Sequence, residues 1–277
     1  MNSDGPGSPE WGGRPFFGYD SDEVQASYSE RQAETVADFL LPHLTPGMSL
    51  LDCGCGPGSI TLGLGEAVSP GRVVGVDLEP GMIEQAKAIA SENGVNNVEF
   101  RVADIYDLPF AGGQFDVVFS SAVLEHLADP VRALRSLRRV LKLGGLAAII
   151  RTDWGEPFIV PGDESLSRFL ELFEGGFNRN GGSLNSGRYL QTHMREAGYE
   201  IVEFVAQISN YTGSESVTEL VDGYIAWMDN LPLFKESIQL GLTTEAELES
   251  IKTGMKAWSA DPEVYFANAR THAIGRK

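Results

Sequence analysis

The stretch Leu50-Leu51-Asp52-Cys53-Gly54-Cys55-Gly56-Pro57-Gly58 constrains this chain more than any other. An apolar run stops at an acid, and three glycines then alternate with other residues. That pattern reads as a buried parallel strand that ends in a tight turn and opens a helix. Glycine tolerates positive φ and, lacking a Cβ, lets a ligand lie against bare backbone. The turn falls at the carboxyl end of a strand, where open α/β sheets bind their ligands. A second strand, Val73-Val74-Gly75-Val76-Asp77, ends in an acid about twenty residues later, the spacing at which a carboxylate grips ribose hydroxyls.

Spacing within the turn narrows the chemistry. Gly-x-Gly-x-Gly is not the Gly-x-Gly-x-x-Gly of dinucleotide sites, and no Gly-Lys-Ser/Thr follows to make a phosphate loop. Asp52, ahead of Gly54, is foreign to a nicotinamide site. Two apolar residues, then Asp-x-Gly-x-Gly-x-Gly, then a second strand closing on Asp77, resemble the first motifs of the class I S-adenosylmethionine-dependent methyltransferases. The resemblance runs over residues 48–152. Asn97-Val98-Glu99-Phe100-Arg101-Val102-Ala103-Asp104 resembles the family's third strand. Phe115-Asp116-Val117-Val118-Phe119-Ser120 resembles the fourth, and Arg138-Arg139-Val140-Leu141-Lys142-Leu143-Gly144-Gly145 the helix and turn before the fifth.

The resemblance implies an α/β fold: a Rossmann-like, seven-stranded, mostly parallel sheet with helices on both faces. The last strand, about residues 266–275, would insert antiparallel between strands five and six. Strand alternation with helices independently points to parallel pairing. The expected strands are 48–53, 72–77, 97–103, 115–120, 146–152 and 199–206. The resemblance also implies S-adenosyl-L-methionine as cofactor and S-adenosyl-L-homocysteine as product. Gly54, Cys55, Gly56 and Gly58 would fit the methionine portion, and Asp77 would hold the ribose diol. Leu78 and Met82 would sandwich the adenine or simply pack in the core. Asp104 would face the adenine amino group, with the Ile105 amide on the ring. Asp52 would orient the turn or reach the amino group through water, and Ser120 closes the cofactor-binding set. Tyr28 and Arg31, on a capping helix, would reach the methionine end of the cofactor or serve as a packing tyrosine and a solvated arginine.

Methyl transfer from a sulfonium is an in-line displacement, so the protein must align two partners and exclude water rather than form a covalent intermediate. An acceptor atom of high pKa needs a base. His126 follows strand four at the sheet's working edge, and an imidazole has a suitable ordinary pKa. It is the candidate catalytic residue, the alternative being a histidine that shapes the pocket. Glu125 beside it is expected to make structural hydrogen bonds. Asp153 and Trp154 follow strand five and could hold a cationic or aromatic acceptor or simply pack. Arg179, Asn180 and Arg188 are further candidates to face the pocket. The family branch most resembled is the small-molecule one that includes the quinone-biosynthesis enzymes. Those carry an Arg-Asn pair after strand four, whereas this chain has Ser120-Ser121-Ala122-Val123-Leu124-Glu125-His126, which argues against a quinone. Leu41-Pro42-His43 and Ala273-Ile274-Gly275-Arg276-Lys277 resemble a broad microbial group, many members of which tailor secondary metabolites.

Charge and composition exclude other classes. A net charge of −18 repels phosphates, so neither nucleic acid nor an anionic membrane is an expected partner. No apolar run approaches the ~18 residues that a spanning helix needs. The absence of a basic segment followed by an apolar run at the N-terminus points to a cytoplasmic protein. Cys53 and Cys55, the two cysteines, can build no disulfide framework, and without nearby histidines they make a poor metal site, so no metal is expected. The expected organisation is a disordered tail (1–15) and a single methyltransferase domain (16–277). Within it lie cap helices (20–45), a core (46–152, 184–210 and 262–277) and two lid insertions (153–183 and 211–261). The expected partner is a small-molecule methyl acceptor, with the chain a monomer or homodimer.

Overall fold

Strand β1 (Ser49–Cys53) is apolar on both of its faces, and a strand of that kind has to be covered on both. The computed structural model describes residues 31–277, and in it two helical layers do the covering. On one side Leu51, Cys53, Val74 and Val118 pack with Leu134 and Leu137 of α4 (Pro130–Val140). On the other, Leu50, Val73 and Val117 pack with Leu64 of α2 (Ser59–Val68) and with Ala33 of α1 (Ala33–Val36).

The sheet has seven strands in the order β3-β2-β1-β4-β5-β7-β6. Strands β2 (Arg72–Asp77), β3 (Val98–Val102), β4 (Phe115–Ser121) and β5 (Leu141–Val160) pair in parallel with their neighbours around β1. β7 (Tyr265–Arg276) runs antiparallel to both β5 and β6 (Glu200–Thr212). The Rossmann-like methyltransferase architecture expected from the sequence is therefore present, with the last strand inserted where the resemblance placed it. Strand order reverses between β1 and β4, so their carboxyl ends open a crevice at that point.

Three lengths differ from expectation. β5 does not stop at residue 152 but runs to Val160, and β6 runs to Thr212 rather than 206. Gly155 and Pro157 interrupt the apolar pattern there, and the β5–β7 register shifts between Asp153 and Phe158 before pairing resumes. The helical content of the first insertion therefore begins at α5 (Glu164–Arg179), capped by Asp163, whose Oδ1 accepts from the Leu166 amide at 2.7 Å. The described part of the N-terminal cap holds only α1 and a 3-10 turn, Leu41–His43, so the helix ends ahead of Pro42. The expectations for residues 1–15 and for Tyr28 lie outside the described residues.

The second insertion supplies three helices, α7 (Ser214–Asn230), α8 (Pro232–Gln239) and α9 (Glu245–Ser259), preceded in the chain by α6 (Leu190–Glu196) against the core. With α5 and the prolonged ends of β5–β7 they enclose a second apolar cluster, dominated by Phe169, Phe173, Tyr224, Phe234 and Phe266. Trp154 and Trp227 pack at its border.

Candidate cofactor and acceptor site

The glycine turn rests on β2. The amides of Gly54 and Cys55 both donate to the Val76 carbonyl, at 2.7 and 3.0 Å. Gly54, Gly56 and Gly58 have φ of 79°, 53° and 84°, a region that side chains rarely adopt. They serve different ends. A Cβ on Gly54 would stand 2.1 Å from Val123 Cγ2, so Gly54 lets the segment after β4 approach. A Cβ on Gly56 would meet nothing within 4 Å, leaving backbone open beneath a ligand. A Cβ on Gly58 would stand 2.8 Å from Phe100 Cζ, so Gly58 lets α2 close on the sheet and does not line the cavity.

Asp77 is fixed from the turn itself. Its Oδ2 accepts from the Gly56 amide at 2.9 Å and its Oδ1 from the Glu79 amide at 3.1 Å. A carboxylate oxygen can accept two hydrogen bonds, and a vicinal diol presents two donors. Asp52 is buried and accepts from the Thr61 hydroxyl at 2.6 Å. Burial pushes its pKa up to about 7, Thr61 opposes this, and the neighbouring charge of Asp77 adds to it. Burial also pushes the Cys53 and Cys55 thiols up, so both are inert neutral side chains in the turn.

One cavity of about 1130 Å³, counted with its open mouth, joins these groups at the carboxyl edge of the sheet. Leu78, 45% exposed, and Met82, 3% exposed, both border it, as a flat ring slotted between them would require. Asp104 and Ile105 lie at the same end. Asp104 Oδ1 accepts from the Tyr106 amide at 2.8 Å, which fixes how the carboxylate is set in that wall. Arg31, Ile60, Val123, His126 and Leu127 line the rest of the cavity. Ala122, also in the lining, holds a left-handed φ of 55°.

The structure places several of the other expected residues away from the roles first given to them. Ser120 is buried, donates to the Cys53 carbonyl at 2.8 Å and does not line the cavity, where Ser121 stands instead. His126 lines the cavity, but burial, with the Arg151 cation second, lowers its pKa to about 3, far from an ordinary imidazole. Asp153 is committed to Arg188, accepting from its Nη2 at 2.8 Å and from its amide at 2.7 Å, and neither residue borders the cavity. Arg179 donates to the Ser237 hydroxyl at 2.9 Å, between α5 and α8. Asn180 ends α5, away from the cavity lining, and Trp154 packs against Phe173, Tyr224 and Trp227. Glu125 has the structural part expected of it: its carbonyl accepts from the Ser183 amide at 2.7 Å and its carboxylate lies 3.6 Å from Arg151.

Sequence reading missed Ile60, Val123 and Leu127, whose side chains carry no chemical signal, and Arg151. For Arg151 a signal existed: a charge that interrupts the apolar run Leu146 to Ile150 of β5. Among the described residues no group of three His, Cys, Asp or Glu is placed to hold a metal, and no helix is long and apolar enough to cross a membrane.

A family profile described as a methyltransferase domain matches residues 44–198. The chain belongs to the class I S-adenosylmethionine-dependent methyltransferases. A curated relative from Aspergillus luteorubrus, named a probable methyltransferase, ltbC, is 30% identical over 90% of this chain and 92% of its own. The O-methyltransferase resE of Aspergillus sclerotiorum is 31% identical over 66% of each chain. Two other curated relatives, from Schizosaccharomyces pombe and Streptomyces fradiae, are spanned over 65% and 61% of their length. Among solved structures, that of the [4+2]-cyclase SpnF is 20% identical, covers 92% of this chain and 81% of its own, and has a TM-score of 0.56, a likeness of fold.

Proposed function

We propose that this methyltransferase binds S-adenosylmethionine over the Gly54–Gly56 turn and methylates an O, N or C atom of a small, largely apolar acceptor held at the His126 end of the cavity. The observation that carries the reading is one cavity lined by two kinds of group: bare backbone at Gly56 with the carboxylates of Asp77 and Asp104, and the apolar Val123 and Leu127 with the His126 ring. The residues present fit the cofactor: two fixed carboxylates at the sugar and base positions, and no Cβ where the chain would lie. Bound there, S-adenosylmethionine supplies an electrophilic methyl on a positive sulfur.

The rest falls to the chain. Asp77 and the turn fix where the methyl points, and the wall of Val123 and Leu127 excludes water from the line of attack. His126, neutral at physiological pH, is too weak a base to strip a proton from a hydroxyl. Its part is to orient the acceptor through a ring nitrogen, with Phe177 (ring centroids 4.9 Å apart) holding the imidazole plane. Support for a small-molecule acceptor comes from the apolar lining, from the charge of −18, which opposes polyanions, and from the relative named an O-methyltransferase.

The test is turnover with methyl-labelled cofactor and a panel of small phenols, alcohols, amines and carbon acids. S-Adenosylhomocysteine should form in step with one labelled product, and not with Asp77→Ala. Consumption of an acceptor without S-adenosylhomocysteine would replace methyl transfer with a cofactor-assisted rearrangement. Absence of cofactor binding would remove the reading.

A further inference from the structure

Arg151 is an expensive residue for its position. It lies on β5 one residue past the last β4–β5 pair, Ser121 with Ile150, and faces Thr271 on β7. It is 2% exposed. Its Nη2 donates to the Ser186 hydroxyl and stands 3.6 Å from Glu125 Oε2, beyond hydrogen-bonding distance. Among the described residues its Nε and Nη1, both buried, meet no hydrogen-bond partner, and neither does the buried Glu125 Oε2. Burial holds the Glu125 carboxyl above its ordinary range and the Arg151 guanidinium below its own, while each attracts the other.

An imperfectly bonded buried ion pair is a poor source of stability, since apolar side chains of the same shape commonly do as well or better. What the pair does is local. Glu125 belongs to the 3-10 turn Leu124–His126, which carries His126 into the cavity. Ser186 belongs to the turn Ser186–Tyr189, which follows the lid's first helix. Arg151 therefore ties both turns to the rigid sheet. From the other side the same turn is held by the lid. The Ser183 amide donates to the Glu125 carbonyl, Phe177 packs on the His126 ring, and a Cβ on Gly182 would stand 2.5 Å from that carbonyl.

We propose that Arg151 is a positioning residue for methyl transfer: through Glu125 and Ser186 it fixes the Leu124–His126 turn so that the His126 imidazole meets the acceptor in one pose. This rests on the acceptor end of the cavity being where His126 stands, but not on the identity of the acceptor. The charged or titratable groups around the turn are Glu125 within it, Arg151 from β5 and Arg31 from the N-terminal segment. Asp153 of β5 and His193 of α6 lie within electrostatic reach of Arg151.

The experiment needs no acceptor. Histidine-labelled protein, bound to S-adenosylhomocysteine, is followed by NMR of the imidazole carbons across pH 5 to 8. His126→Asn assigns the resonance among the four histidines. Wild type should give one sharp His126 line that does not move over this range. Arg151→Met should broaden or split it and bring a titration toward the ordinary value of about 6.5. Arg151→Lys, which restores a cation, should return most of the sharpness. Calorimetric binding of S-adenosylhomocysteine should be unchanged in both Arg151 variants, which separates failure of this assignment from failure of the cofactor reading. Should Arg151→Met not fold, Arg151→Met with Glu125→Gln removes the stranded carboxylate and is read in the same way. A His126 line of unchanged position, width and pH response in the Met variants would overturn the assignment.

Discussion

Gly54, Gly56 and Asp77 belong to one strand–turn–helix–strand unit, whereas His126, Phe177 and the lid's Trp227 come together from three separated segments. The cofactor half of the cavity is a backbone construction: amides of the turn bond to Val76 and Asp77, and positive φ is met by glycine. The half proposed for the acceptor is a side-chain construction, in which the His126 imidazole leans on Phe177 of α5 and the buried Arg151 stands beside Glu125 of the same turn. A backbone site is specified by short sequence patterns and varies little. A side-chain site can be rebuilt by substitution while the first half stays intact. That division lets one fold offer the same methyl donor to different acceptors.

The most forceful way to break the comparison is to damage the lid and measure the cofactor. Phe173 is 5% exposed and touches Trp154, Phe169, Phe177 and Trp227. Phe173→Ala should cost about 3–5 kcal/mol of lid stability, seen as a lower first unfolding transition, while cofactor affinity in calorimetry stays within about threefold. Equal loss of both would mean that the halves are one cooperative unit. The reciprocal change is Asp77→Ala. It removes a charged partner from the ribose and from the Gly56 amide, and should weaken cofactor binding about 100-fold, with the lid's unfolding unmoved.

The halves should also differ in their response to pH. Asp52 has a folded pKa of about 7 against an ordinary carboxylate value near 4, so the native state holds its proton more tightly than the unfolded chain. Stability from this group is therefore greatest at low pH and is lost as pH rises from about 4 to 7. Asp52→Asn keeps an acceptor for the Thr61 hydroxyl but cannot ionise. It should be more stable than wild type by roughly 2 kcal/mol at pH 8 and no more stable at pH 4, in denaturant titrations. His126 in the other half, depressed to about 3 against an ordinary value near 6.5, has the opposite sign: the unfolded chain binds its proton more tightly, so stability from this group rises with pH from about 3 to 6.5 and is level above about 7.

How much of this was legible follows the same division. The glycine turn and the carboxylates at Asp52, Asp77 and Asp104 could be read because each lies at a strand end or a few residues from one, while the seven-stranded sheet and its antiparallel last strand came from the family resemblance. The prolongation of β5 could not, because Gly155 and Pro157 break its pattern and its pairing with β7 depends on residues more than a hundred positions later. Asp153, just past the end of the expected strand five, and Arg188 were candidates to face the pocket. The fold brings them together through Gly187, whose Cβ would stand 2.7 Å from Asp153 Cβ, and they satisfy each other. The ordinary pKa expected of His126 fails for a related reason: the sequence names the imidazole but not the lid and the arginine that surround it.

Ser120 is the smallest and sharpest test of the boundary. It is the penultimate residue of β4, beside the cofactor turn, and by position it belongs to the site. By geometry it belongs to the sheet, its hydroxyl bonding the Cys53 carbonyl of β1 at 2.8 Å, where it steadies the strand end from which Gly54 departs. Ser120→Ala leaves that carbonyl without its donor in a place water does not reach, and should cost about 1 kcal/mol in denaturant unfolding. If the hydroxyl acts only through the sheet, cofactor affinity should hold within about twofold, since a loss of that size in stability leaves the folded fraction near one. A selective loss of affinity, with stability unchanged, would move Ser120 back into the site and show that the wall of the cofactor half includes side chains from β4 as well as the backbone of the turn.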